Sequence, residues 1–151
     1  MASKTKKIIL YSIAGMVLIG TSIGYKMYNK EHFSVSGTRP SAAIAAIILH
    51  QTFSTDSTTA KNTFIGDEAN QKIIQVDGEI AAIKEDQQGN TIILLKTATD
   101  GAFINCTMEG RTERINAGSK IVLKGICTGY NFDSEMGIPG DVILIRCIIS
   151  N

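Results

Sequence analysis

Hydrophobic and polar positions divide the chain by period. Ile8 to Tyr25 is an unbroken uncharged run of 18 residues. Ser41 to Phe53 follows a helical period, with Ile44, Ile47 and Ile48 as its apolar stripe and Pro40 and Ser41 at its start. A second short helix is expected from Ser54, Asp56 or Ser57 as cap to a stop at Gly66. From Gln71 the pattern alternates, as a half-buried strand does. Five strands are predicted: Ile73 to Lys84, Thr91 to Thr97, Ala102 to Met108, Ser119 to Tyr130 and Asp141 to Ile149. Their inward rows are expected to hold Ile74, Val76, Gly78, Ile80 and Ala82; then Ile104, Cys106 and Met108; then Ile121, Leu123, Gly125 and Cys127; then Ile143, Ile145, Cys147 and Ile149. Glycines inside strands mark bends or close backbone approach, as a small coiled barrel requires.

The first uncharged run is long enough, at about 1.5 Å per residue, to cross a bilayer as a helix. Lys4, Lys6 and Lys7 precede it, so the positive-inside rule puts the N-terminus in the cytoplasm and the rest across an inner membrane, on the periplasmic or extracellular side. The exit Thr21-Ser22-Ile23-Gly24-Tyr25 lacks the small-residue spacing of a cleavage site, which favours an uncleaved single-pass signal-anchor over a cleaved signal or a helix buried in a soluble protein. The expected domains are thus an anchor over 1–25, a polar linker over 26–40, and a helical lead-in plus barrel over 41–151.

Five strands, two inward glycines and a longer connection between the third and fourth suggest a mainly β fold: a five-stranded OB-fold barrel preceded by one or two short helices and the transmembrane helix. The phrases VDGEIAAI (Val76 to Ile83), INC (Ile104 to Cys106), AGSKIVLKGICTG (Ala117 to Gly129) and ILIRC resemble the tRNA-anti-like OB-fold family. That resemblance implies a small exported bacterial protein with a helical lead-in. It implies no established activity, because its motifs are structural.

An OB fold binds ligands on the outer face of its second and third strands, between two loops. The ligand-binding residues expected on that basis are Lys96, Phe103, Asn105, Tyr130 and Phe132, beside Ile92, Leu94 and Thr107 and flanked by Glu85, Asp86, Asp133 and Glu135. A second reading has Phe103 and its neighbours packed beneath the leading helix, with the face covered.

Charge separates the candidate functions. The leader carries three lysines, which leaves 12 Lys and Arg against 14 Asp and Glu beyond it. A slightly acidic domain opposes phosphate-backbone binding, which needs clustered cations. Phe103, Tyr130 and Phe132 could stack bases, so single-stranded nucleic-acid binding stands as the alternative to an envelope protein, peptide or glycan partner. No paired carboxylates, phosphate-cradling loop or Ser-His-Asp set occurs, so neither catalysis nor a cofactor is expected; Asp77 and Glu79 read as solvated charges. His32 reads as a solvated linker residue and His50 as a surface or interfacial one. Cys106, Cys127 and Cys147 lack CxxC spacing and a nearby His, which argues against a metal site. Buried thiols are one reading. A Cys106 to Cys147 disulfide, formed after export, is the other.

Overall fold

The structure is a computed structural model that describes residues 16, 20–22, 24–25, 35–67, 70–110, 115–133 and 137–150. Contacts divide the chain into two units, Met1–Ser34 and Val35–Asn151. In the first, the described positions are helical. Most of the expected membrane span lies outside the described residues; among those described, no helix is long and apolar enough to cross a membrane.

The second unit runs β1 (Ala42–Ala45), α1 (Ala46–Thr55), α2 (Ser57–Phe64), β2 (Ile73–Glu85), β3 (Thr91–Lys96), β4 (Phe103–Met108), β5 (Lys120–Asp133) and β6 (Ile138–Ile149). The sheet order is β1-β2-β3-β4-β6-β5, and β5 returns to pair with β2. That closure makes a five-stranded barrel of β2, β3, β4, β6 and β5, with the strand order of an OB fold. The last strand, β6, is inserted between β4, to which it runs parallel, and β5.

The helical lead-in differs from its prediction. Residues 42–45 form a strand parallel to β2, with Ala42 level with Ile74 and Ala45 with Asp77. The alanines favour a helix only weakly, and the ladder along an otherwise bare edge of β2 overrides that preference. The helix starts at Ala46, and its buried face is Ala46, Leu49, His50 and Phe53. The expected stripe is therefore turned outward: Ile47 and Ile48 are about half exposed, at 47% and 50%. Of its two expected placements His50 takes the interfacial one, buried between α1 and the barrel, where its Nε2–H donates to the Gly140 carbonyl oxygen at 2.9 Å. The second helix is capped by Asp56, whose carboxylate accepts from the amides of Thr58 and Thr59, and it stops before Gly66 as predicted.

Helix α1 lies across one mouth of the barrel. Ala46 meets β2 at Gly78, where a Cβ would come 2.9 Å from that of Ala46. At the far end Phe53 packs on Phe64 and Tyr130, with ring centres 6.1 and 5.6 Å away. One core results, joining Leu49, Phe53 and Phe64 to Val76, Ile80, Ile93, Leu95, Ile104, Leu123, Val142 and Leu144.

Two bulges correct the inward rows. In β2 the register slips between Ile80 and Ala82, so Ile80 keeps the core while Ala82 pairs with Leu94 on the outside. In β6 an extra residue, Arg146, takes φ 53°, and its guanidinium donates from Nε and Nη2 to Glu109 Oε1 at 3.1 and 2.7 Å. A non-glycine residue in that left-handed region costs roughly 1 kcal/mol, and the ion pair holds it there. The extra residue resets parity: Val142, Leu144 and Cys147 line the core, while Ile143 and Ile145 face out. Ile149 sits at the mouth, 39% exposed. A smaller cluster on the outer wall joins Val35, Ile73 and Ile126 to Ile145 and Ile148, so the described end of the expected linker is fastened to the barrel.

Candidate binding groove

The expected ligand residues are split between the two faces of the barrel wall. Lys96 and Phe103 are ladder partners on the outer face, and Asn105 lies level with Leu94 two pairs along. The Phe103 amide donates to Asp141 Oδ1 at 2.8 Å. Tyr130 pairs with core residue Val142 and is turned toward the plug. Its ring meets His50 edge-on at 6.0 Å, and Phe132 stacks on it at 6.0 Å with planes 2° apart. Burial, with the Asp141 charge adding, pushes the Tyr130 phenol up. Tyr130 is thus engaged with α1 and with Phe132, which is itself 56% exposed. Helix α1 closes a mouth, and on the outer face of β3 and β4 Phe103 and Asn105 are half-buried while Leu94 is buried.

Of the flanking acids, Asp86 is occupied within its own turn. It accepts from the Gln88 and Asn90 amides at 2.8 Å each and from Asn90 Nδ2, bonds that lower its pKa, the Asn90 side chain first. Glu135 lies outside the described residues.

A concavity lies elsewhere, at the seam where β1 ends, α1 begins and β3 ends. It is a groove of about 790 Å³. Ala46, Ile47, Gly78, Val122 and Ile149 supply an aliphatic lining, and Asp77, Glu79, Lys96 and Lys120 its charges. The Lys96 ammonium pairs with Glu79, its ladder neighbour across the end of β3. Lys120 is the ladder partner of Glu79 on the other side, and Asp77 is level with Val122. Lys96 is therefore the one expected ligand residue in this groove. Sequence reasoning passed over Asp77, Lys120, Ile47 and Ile149 for physical reasons. The carboxylates flank Gly78 on an alternating strand and look like any solvated face, and Ile47 was assigned to the core by the wrong helix phase.

The three cysteines share the inner wall, each fully or almost fully buried, and all are free thiols. Cys106 and Cys147 do come together. A hydrogen bond to Cys147, reinforced by burial, pushes the Cys106 thiol well up. Burial pushes Cys127 up to about 12. No disulfide joins the pair expected from sequence; the ladder sets Met108, not Cys106, level with Cys147. Thiols so placed are poor nucleophiles. Among the described residues no group of His, Cys, Asp or Glu could hold a metal.

Comparison with family models matches tRNA_anti-like over residues 1–147, so the likeness extends through the N-terminal segment as well as the barrel. Comparison with curated proteins finds no match.

Proposed function

The chain belongs to the tRNA_anti-like family, and from that premise we propose that its OB-fold barrel is a non-catalytic binding module. In this reading residues 8–25 hold it to the inner membrane, and the barrel engages a protein or peptide of the envelope on the far side. The groove at the seam of β1, β2 and β5 carries the proposal. Its charges come in both signs around an aliphatic floor, which suits polypeptide side chains. Sugar rings want planar faces to stack on, and the groove lining offers none. A single-stranded nucleic acid wants stacking platforms along a basic track, whereas here two carboxylates offset two lysines.

The test is photo-crosslinking from a reactive side chain placed at Ile47 or Ile149 in the full chain, in its native membrane. Adducts that protease destroys and nuclease leaves intact are expected. Nuclease-sensitive adducts, or retardation of a single-stranded oligonucleotide near physiological salt, would overturn the reading.

A further inference from the structure

Strand β1 carries a row of backbone groups with nothing bonded to it. The Ser41 amide donates to the Ile73 carbonyl at 2.8 Å, and the parallel register continues from Ala42 level with Ile74 to Ala45 level with Asp77. In a parallel ladder alternate residues turn both amide and carbonyl toward the partner strand. On β2 the Ile80 amide donates to the Ser119 carbonyl, and Val122 of β5 accepts from Ser150 on its far side, so the backbone groups of Ile74, Val76 and Gly78 bond to β5 while those of Gln75 and Asp77 face β1. Ala42 and Ile44 are therefore the residues bonded to β2, and the amide and carbonyl of Ala43 and the amide of Ala45 point to the opposite side. β1 is the last strand of its sheet, and among the described residues none of those groups has a partner. The edge also lacks the usual protections, because Ala-Ala-Ile-Ala contains no charge and no proline.

We propose that this edge receives an extended segment of a partner polypeptide, added as a further strand, with aliphatic residues alternating with basic ones. The assignment rests on the groove being a peptide site and says how the peptide is held. Bare backbone groups supply main-chain hydrogen bonds, and the two faces of β1 supply the side-chain pattern. Ala42 and Ile44 pack against the core, so the incoming row on that face meets apolar surface. On the outer face Ala43 is exposed, and the small Ala45 leaves its ladder partner, the Asp77 carboxylate, within reach of a side chain one strand further out. Asp77 is exposed and is in no ion pair among the described residues. A lysine or arginine level with Ala45 would meet it. β1 ends in the groove, where Ile47 supplies the next apolar contact.

The probe is a capped peptide of alternating valine and lysine, titrated into the isotope-labelled full chain in detergent, with amide shifts as the readout. Shifts at Ala43, Ala45 and Asp77 are expected, and a valine and glutamate peptide should cause none. Ala43→Pro removes an outward amide without touching a β2 ladder bond, and should weaken binding about tenfold. Asp77→Lys should abolish the preference for lysine over glutamate. If Ala43→Pro disturbs the fold, a peptide N-methylated on the amides facing β1 asks the same question from the ligand side, and its loss of binding is expected. Equal binding of the glutamate peptide, wild-type affinity in a folded Ala43→Pro, or undiminished binding of the methylated peptide would overturn the proposal. Protease-sensitive crosslinks from Ile47 and Ile149 without shifts on β1 would overturn it too, while leaving the binding module standing.

Discussion

Gly125 and Cys147 face each other across the β5 and β6 ladder, and their fit is measurable. A Cβ on residue 125 would lie 2.5 Å from the Cys147 sulfur and 3.3 Å from the Ile145 carbonyl oxygen. The first distance is about 1 Å inside an ordinary contact, and the sulfur has nowhere to go, because Cys147 is fully buried with Cys106 beside it. Overpacking of this kind costs about 1–3 kcal/mol, from which replacing a strand glycine returns roughly 0.5–1. Gly125→Ala should therefore lose about 1–2 kcal/mol. Cys147→Ala alone should lose about 1 kcal/mol, near the value of one buried methylene plus the small cavity left. In the double variant the new methyl occupies the space the sulfur vacated, so the loss should fall short of the sum by about 1–2 kcal/mol. Urea unfolding of the full chain and its three variants measures that coupling. Losses that add within about 0.5 kcal/mol would refute the contact as the reason for glycine at this position.

Further outcomes follow from the plug, the thiols and the caps. Phe53→Ala empties a fully buried site against Phe64 and Tyr130 and should cost about 3–5 kcal/mol, much of a domain's stability, read in the same urea assay. With its pKa at about 12, Cys127 should resist iodoacetamide in the folded chain at pH 8 and react once urea unfolds it; fast native labelling would contradict the burial. The raised thiol pKa also sets an alkaline limit. Its contribution is whole below the ordinary value of 9.0 and is lost as pH rises toward about 12, at about 1.4 kcal/mol per pH unit, a slope that Cys127→Ala should reduce. Asp56 behaves oppositely. Hydrogen bonds from Thr59, then from the Thr58 amide, lower its pKa, so α2 should keep its cap above the ordinary carboxylate value and fray as pH falls through the lowered one, visible as amide shifts at Thr58 and Thr59.

Most strands were legible because they alternate a wet and a dry face, β3 because Ile93, Leu94 and Leu95 form one buried apolar run, and the order of the barrel followed from their number and the length of one connection. What alternation cannot register is an extra residue. Ala81 and Arg146 each shift the pattern by one, so Ala82, Ile143 and Ile145 were given the wrong side; the same shift at Arg146 brings Cys147 inward. The lead-in failed differently. Ser41 to Phe53 contains apolar residues at two helical phases, and only the barrel mouth selects Ala46, Leu49, His50 and Phe53 over the isoleucines. Five of those thirteen residues lie outside the helix, and four of them form β1, because a neighbouring edge offered more hydrogen bonds than another helical turn. The groove was invisible for a related reason: its walls come from β1, α1, β2, β3, β5 and the end of β6, and no single stretch carries its signature.

The insertion of β6 between β4 and β5 has a consequence for biogenesis. Until residues 138–149 have been made, both neighbours lack a flank, and nothing nearer the N-terminus can substitute for the missing keystone. A chain threaded through a membrane from its N-terminus would thus carry two sticky seams until synthesis ends, a period in which a holding chaperone has most to do. Shortening the chain ahead of Ile138 should leave an unsealed cylinder that proteases clear, instead of a smaller version of the same domain.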